Sequence, residues 1–249
     1  PKYTAKGDSV KKMEFKGFEK NSLIEWPGKV VSVAYTGACN FRCPYCQNSD
    51  LALRPDKIPS IDGEKILEHL RSKEKWLDGL IVTGGEPTLH SSLFNFSKKV
   101  KEEGFLFGIE TNGTNYDFLK EFIEKDLVDR ISLDIKAPLV WEKYRKAIGV
   151  DNKDLFENVK KTVKLLQDTN TPHEFRTTVV PRILSLEDLE DIGKEIEGSK
   201  NYYLQQFSPE NTLEREFEEV EPYSEEELKE VQEKLKKEYN LQPCEIRNL

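Results

Sequence analysis

Cys39-Asn40-Phe41-Arg42-Cys43-Pro44-Tyr45-Cys46 places three of the chain's four cysteines at the spacing Cys-x3-Cys-x2-Cys. The run just upstream, Val30-Val31-Ser32-Val33-Ala34-Tyr35-Thr36, is apolar and β-branched and reads as a strand. The cysteines therefore sit on the loop at that strand's C-terminal end. Three thiolates on one loop can converge on a soft metal or an iron–sulfur cluster. Disulfide pairing would leave one cysteine over, and an acidic chain with few cysteines is expected to keep them reduced. Zinc competes but needs a fourth ligand. Cys244, His69, His90 and His173 are distant in sequence and form no close ligand pair. The spacing favours a cluster over zinc and leaves both open. Three cysteines on a four-iron cluster would leave one iron free for a substrate or cofactor.

Outward from this loop, strand and helix patterns alternate. An edge strand is expected near residues 13–18, within a polar lead-in over 1–20. After the Pro27-Gly28 turn comes the strand at 30–36, and 49–60 reads as loop with Pro55 and Pro59 as breakers. Helices are expected over 62–76 and 91–103, around Phe118–Ile123, and over 139–147 and 153–168. Strands are expected at 80–82, 105–109, 131–135, 175–180 and 202–207. Ser185 with Asp188 and Ser224 with Glu227 are capping-box pairs opening two further helices. Residues 208–222 read as a Pro- and Glu-rich loop, and 242–248 could add a last strand.

About six strand–helix units without a composition break imply an α/β fold: a parallel sheet with helices outside, in one domain over 1–249. Six units can curl into an open (β/α)6 barrel, whereas a closed eight-unit barrel would need two more. The conspicuous polar residues fall at or near strand C-terminal ends, where parallel α/β folds bind ligands. They are the cysteine loop, Gly84-Gly85-Glu86-Pro87, Glu110-Thr111-Asn112-Gly113, Asp134 and Lys136, Arg176, and Gln205-Gln206. One site built from distant segments is the expectation. Gly84 and Gly85 would let a ligand approach the backbone closely. Arg176, in an otherwise apolar strand, must find a partner.

The chain carries 38 basic and 46 acidic residues, a net charge of −8. That balance argues against general nucleic-acid binding, which leaves a basic footprint. No apolar run approaches the length of a membrane span, and the polar start Pro1-Lys2-Tyr3-Thr4-Ala5-Lys6 has no apolar h-region. A soluble, cytoplasmic protein is the expectation. No phosphate-binding Gly-Lys loop appears.

The cysteine spacing, followed by Thr83-Gly84-Gly85-Glu86-Pro87, resembles the radical S-adenosylmethionine (SAM) superfamily with its GGEP motif. Within it, the match is nearest to activating proteins of anaerobic ribonucleoside-triphosphate reductase, which belong to the glycyl-radical enzyme activators. Gly17–Lys29 resembles their GFxKxSLIDYPGK lead-in and Gly37–Asn48 their GCNFRCPYCHN. Asp134–Pro138 and Phe175–Pro181 resemble DIKAP and FRTTVVP. Gln47 stands where His is usual, and Glu110 where the family often has Asp. The resemblance runs from about residue 15 to 208, leaving 209–249 as a C-terminal helical extension. Four cysteines leave none for the extra ferredoxin-like clusters that some activators carry.

The resemblance implies a partial (β/α)6 barrel and a [4Fe-4S] cluster on Cys39, Cys43 and Cys46. It implies SAM as second cofactor, with Gly84, Gly85 and Glu86 at its amino group and Lys136 facing its carboxylate. Tyr45 would shield the cluster and lie near adenine. Glu110, Asn112 and Arg176 are further candidates for the cofactor site. The chemistry implied is one-electron reduction of the cluster, by a donor such as flavodoxin or ferredoxin, and cleavage of SAM to a 5′-deoxyadenosyl radical. In activators that radical takes hydrogen from a glycine of a partner glycyl-radical enzyme. The alternatives are a radical SAM enzyme modifying a small molecule or an RNA nucleotide, and a non-catalytic metal-binding protein. No side-chain acid or base is assigned; His90, just after the glycine motif, is a weaker candidate, His69 reads as a surface residue, and Cys244 as a buried structural thiol.

Overall fold

Short β-branched runs alternating with amphipathic ones become ten strands and eight helices in the computed structural model, which describes residues 12–248. The start of the expected lead-in, residues 1–11, lies outside the described residues. In chain order the elements open with β1 (Glu14–Phe15), β2 (Gly17–Ser22), β3 (Val31–Thr36), α1 (Ser49–Leu53), β4 (Ile61–Asp62) and α2 (Gly63–Ser72). The middle of the chain supplies β5 (Gly79–Gly84), α3 (Leu93–Glu102), β6 (Leu106–Thr111), α4 (Tyr116–Glu124), β7 (Arg130–Asp134) and α5 (Trp141–Ile148). It closes with α6 (Lys153–Asp168), β8 (His173–Val179), α7 (Leu186–Glu195), β9 (Tyr202–Gln206), α8 (Glu225–Glu238) and β10 (Cys244–Arg247).

Eight strands form one sheet in the order β10-β9-β8-β7-β6-β5-β3-β2. All neighbours pair in parallel except β2, which runs antiparallel to β3. The sheet does not close: β2 and β10 are its two edges. This is the open α/β architecture expected, with the 242–248 tail joining it as β10. β1 pairs with β4 in a separate two-stranded ribbon. No helix among the described residues is long and apolar enough to cross a membrane.

Along the central strands side chains alternate between two environments. Ile131, Leu133, Phe175, Val179, Tyr202 and Leu204 belong to the hydrophobic core beneath the helices. The intervening residues, Arg130, Ser132, Asp134, Glu174, Arg176 and Tyr203, face the other side, the lumen of the curled sheet. Helix starts follow their caps. Asp62 accepts the Glu64 N–H ahead of α2, and Ser185 and Ser224 make full capping boxes with Asp188 and Glu227. Gly149, at φ +64°, ends α5 in the left-handed conformation.

Two expectations are corrected. The helix expected over 62–76 stops at Ser72, because Lys73–Leu77 tighten into turns whose amides bond Leu70, Arg71 and Lys73 carbonyls. The expected loop at 49–60 begins with the helix α1, whose one buried residue, Ala52, was too short a signal to show periodicity.

The helical layer is held by an aromatic group in which Phe122 stacks on Phe118 at 4.7 Å and meets Phe94 at 4.6 Å. Phe122 is fully buried. Phe122→Ala should therefore cost about 3–5 kcal/mol, measured as a lowered denaturation midpoint at unchanged m-value.

Candidate active site

The cysteine loop is fixed by backbone contacts from four directions. Gly85 N donates to the Thr36 carbonyl at 2.9 Å and Glu86 N to the Ala38 carbonyl at 2.7 Å. Ala38, at φ +65°, turns the chain into the loop, and its own N–H is held by Leu51 of α1. Arg42 N donates to the Ile148 carbonyl at the end of α5, and Glu214 N donates to the Pro44 carbonyl. Arg42 also donates from its guanidinium to the carbonyls of Cys39 and Phe41. The approach at the glycines is close. A Cβ on Gly85 would stand 1.9 Å from the Ala38 oxygen, and one on Gly84 2.5 Å from Thr36 N. Here the glycines let two backbone segments touch each other.

Cys39, Cys43 and Cys46 line one cavity of about 220 Å³. Tyr45, Gly84, Gly85, Glu110 and Asn112 line it too, as do Lys136 and Arg176. The expectation of one site assembled from strand ends thus matches the placement of these residues. All three cysteines are unpaired thiols, and burial pushes Cys39 up to about 11 and Cys43 up to about 12. Among the described residues no three His, Cys, Asp or Glu side chains converge closely enough to hold a single metal ion. His90 is instead 2.8 Å from the Gly37 carbonyl, behind the loop, and Cys244 is buried in β10. Neither His90 nor Cys244 therefore joins the three cysteines at the cavity. Three thiols facing one cavity without converging on a point suit a cluster, whose separate irons take separate thiolates.

Glu86 is placed differently from the expectation. It is fully buried and does not line the cavity. Its carboxylate accepts four hydrogen bonds: from Thr88 N at 3.0 Å, Thr88 Oγ1 at 2.6 Å, Thr111 Oγ1 at 2.8 Å and Asn112 N at 2.7 Å. Burial pushes its carboxyl above the ordinary value against the pull of these donors. Glu86 thus ties the loop after β5 to the loop after β6. Asn112 continues the tie, donating to Asn40 Oδ1 at 2.8 Å beside Cys39.

Opposite the cysteines lies a buried chain of charges. Arg176 donates from Nη1 to Glu110 at 2.5 Å and from Nε to Asp134 at 3.0 Å. The other Asp134 oxygen holds Lys136 Nζ at 2.9 Å. Burial alone would raise Asp134, but Lys136 and then Arg176 outweigh it and hold the carboxyl at about 2. One layer deeper, Glu174 is fully buried and pairs with Arg130 and, at 3.3 Å, with Arg247. Sequence reasoning found Arg176 but missed Glu174, Arg130 and Arg247. Their signal was polar alternation in strands read only as buried. Gln205 and Gln206 do not line the cavity, and Gln206 reaches the Tyr223 carbonyl instead. His69, expected at the surface, is half-buried against Phe18 at 5.3 Å.

Two outcomes test this geometry. Gly85→Ala forces the Ala38 carbonyl aside, so the variant should fold yet fail to retain iron and sulfide after anaerobic reconstitution, measured by iron and sulfide analysis. Arg176→Met strands Glu110 and Asp134 and should cost about 3–5 kcal/mol, read by denaturant unfolding near neutral pH. The wild-type contribution from Asp134 is present above its ordinary value of 3.8 and is lost only as pH falls through about 2.

Comparison with known proteins agrees with the geometry. Residues 33–196 match the pattern of the Radical SAM superfamily. A Methanocaldococcus jannaschii protein named "Putative glycyl-radical enzyme activating enzyme" is 31% identical over 213 residues, 84% of this chain and 86% of its own length. A "Probable GTP 3′,8-cyclase" of Pyrococcus abyssi is 25% identical over 80% of this chain and 69% of its own length. Among solved structures, Streptococcus suis SuiB bound to S-adenosylmethionine superposes with a TM-score of 0.68, covering 88% of this chain and 50% of that one. At 16% identity that likeness speaks for the fold alone. With a match spanning well over half its length, and the three cysteines and two glycines of its motifs around one cavity, this chain belongs to the radical SAM superfamily.

Proposed function

We propose that the chain is a glycyl-radical enzyme activating enzyme: it abstracts a hydrogen atom from a backbone glycine of a partner protein. The observation that carries this reading is the similarity to the M. jannaschii protein of that name, which extends over most of both chains. The open sheet is consistent with it. Among the described residues β2 and β10 are the sheet's two edges, which leaves the lumen open at its side to a polypeptide loop.

In this reading Cys39, Cys43 and Cys46 hold a [4Fe-4S] cluster and leave one iron to SAM. When bound, the cluster and SAM supply radical chemistry that removes a hydrogen atom from carbon. The protein's own task is to bind, orient and exclude water. Lys136 offers an ammonium to the SAM carboxylate while Asp134 keeps it charged and in place. Gly84 and Gly85 bring the loop after β5 against the cysteine loop, and the buried Tyr45 keeps water from the cavity wall beside Cys43 and Cys46. Asn112 holds the loop after β6 against Asn40, so the cysteines and the charged wall keep one spacing. A one-electron donor of the flavodoxin or ferredoxin class is required, and the cell interior is the setting such a donor implies.

The likeness to a GTP 3′,8-cyclase supports the second reading, a small-molecule substrate. The two readings separate in one assay. Reconstituted protein, SAM and a strong reductant are incubated anaerobically with and without a candidate glycyl-radical enzyme, and 5′-deoxyadenosine and organic radical are measured. The activating reading requires a radical on the partner and no such radical with Cys43→Ala. Deoxyadenosine without a partner radical would favour the second reading.

A further inference from the structure

One layer below the Arg176 pairs, the fully buried Glu174 receives donors on both of its oxygens. From β7, Ser132 Oγ donates to Oε1 at 2.9 Å and Arg130 Nη2 donates to Oε2. Arg247 of β10 spans the carboxylate, with Nη1 3.4 Å from Oε1 and Nη2 3.3 Å from Oε2. Its guanidinium stacks 3.5 Å from the centre of the Tyr203 ring of β9, which orients the fork. Arg130 is braced on its other side by Trp26, whose ring centre lies 5.7 Å away. A further cation stands close by. Arg176 Nη1, the nitrogen that meets Glu110 at 2.5 Å, is 3.9 Å from Glu174 Oε1. Two carboxylates thus face one nitrogen, and Glu110 holds it.

We infer that Arg247 is a positioning residue for the SAM site: its two-pronged contact satisfies Glu174 and so keeps Arg176 on Glu110 and Asp134, and Lys136 at the cavity. The inference rests on reading Lys136 as facing the SAM carboxylate, and not on the identity of the substrate. Glu174 has no exposed surface, so water does not replace a donor it loses. Without Arg247, each of its oxygens is one donor short. The cation within reach of Oε1 is Arg176, which has only to turn away from Glu110. Asp134 then loses the Arg176 Nε contact and no longer fixes the Lys136 ammonium. The same logic names the change that undoes the loss. Glu174→Gln removes the charge that would draw Arg176 away. Combined with Arg247→Met it takes out one cation and one anion, so the layer keeps its net charge and Arg176 has no second carboxylate to turn to.

The test separates structure from affinity. A crystal structure of Arg247→Met as isolated should place Arg176 Nη1 in hydrogen-bond contact with Glu174 and away from Glu110. SAM affinity of the cluster-loaded variant, by equilibrium dialysis, should fall about tenfold, the scale of one charge-assisted hydrogen bond. Its iron and sulfide contents should equal the wild type's, because the cysteine loop is fixed by the loop after β5, α1 and α5. The double variant Arg247→Met with Glu174→Gln should recover wild-type affinity to within about threefold, the usual error of such cycles. Arg176 still on Glu110 in Arg247→Met overturns the inference and leaves the Lys136 reading standing. Arg176 moved with affinity unchanged overturns it through that reading, because the ion chain would then not be where SAM binds. A double variant as weak as the single, or a fall in cluster content, also overturns it, since the loss would then come from packing and not from the charge on Glu174. If Arg247→Met does not fold, Arg247→Gln, which keeps an amide donor and much of the stem, is judged by the same results.

Discussion

The guanidinium of Arg176 is the constraint around which the interior is arranged. It is almost fully buried, so its charge must be met inside the protein. Glu110 and Asp134 meet it from two neighbouring strands, and Asp134 passes the pairing on to Lys136. Parallel pairing of β7 and β8 sets Asp134 and Arg176 at one level as direct register partners, while Glu110 of β6 lies in register with Ser132 and Glu174, one same-face step away. Breaking any link leaves a charge in a poorly solvated lumen, which costs more than the intact chain gains over an apolar wall. A wall of this kind does little for stability. It offers an oriented ammonium and fixed carboxylates to a ligand that carries both charges.

The second constraint is steric. Gly84 and Gly85 bring the loop after β5 into backbone contact with the start of the cysteine loop, and Glu86 then locks the loop after β6 beneath both. The cysteines and the ion chain thus face each other across a cavity whose two sides are cross-tied through Glu86 and Asn112. A radical reaction needs that spacing kept, because a misplaced hydrogen donor loses rate steeply with distance.

Much of this was legible in the sequence, for identifiable reasons. The cysteine spacing, the glycine pair and the Asp-x-Lys segment are local and sit where a strand ends, so chain order alone puts them on one rim. The strand order follows from the alternation, and the tail joins the sheet because Cys244–Arg247 continues it beside β9. What remained hidden depends on which way a side chain turns. Glu86 reads as an anion for a ligand, yet the hydroxyls of Thr88 and Thr111 claim it. Trp26 sits in a turn-rich stretch with no periodicity, and its place against Gly108 of β6 shows only in the folded sheet. Glu174, Arg130 and Arg247 are scattered in sequence and meet only through strand register.

The central claim is that the three-cysteine cavity holds a four-iron cluster with one iron open to SAM. Electron paramagnetic resonance of the reduced, reconstituted protein tests it most directly, recorded before and after SAM is added. The account predicts a four-iron signal whose shape changes on adding SAM. A four-iron signal that SAM leaves unmoved, or a protein that takes up zinc in place of the cluster, would contradict it.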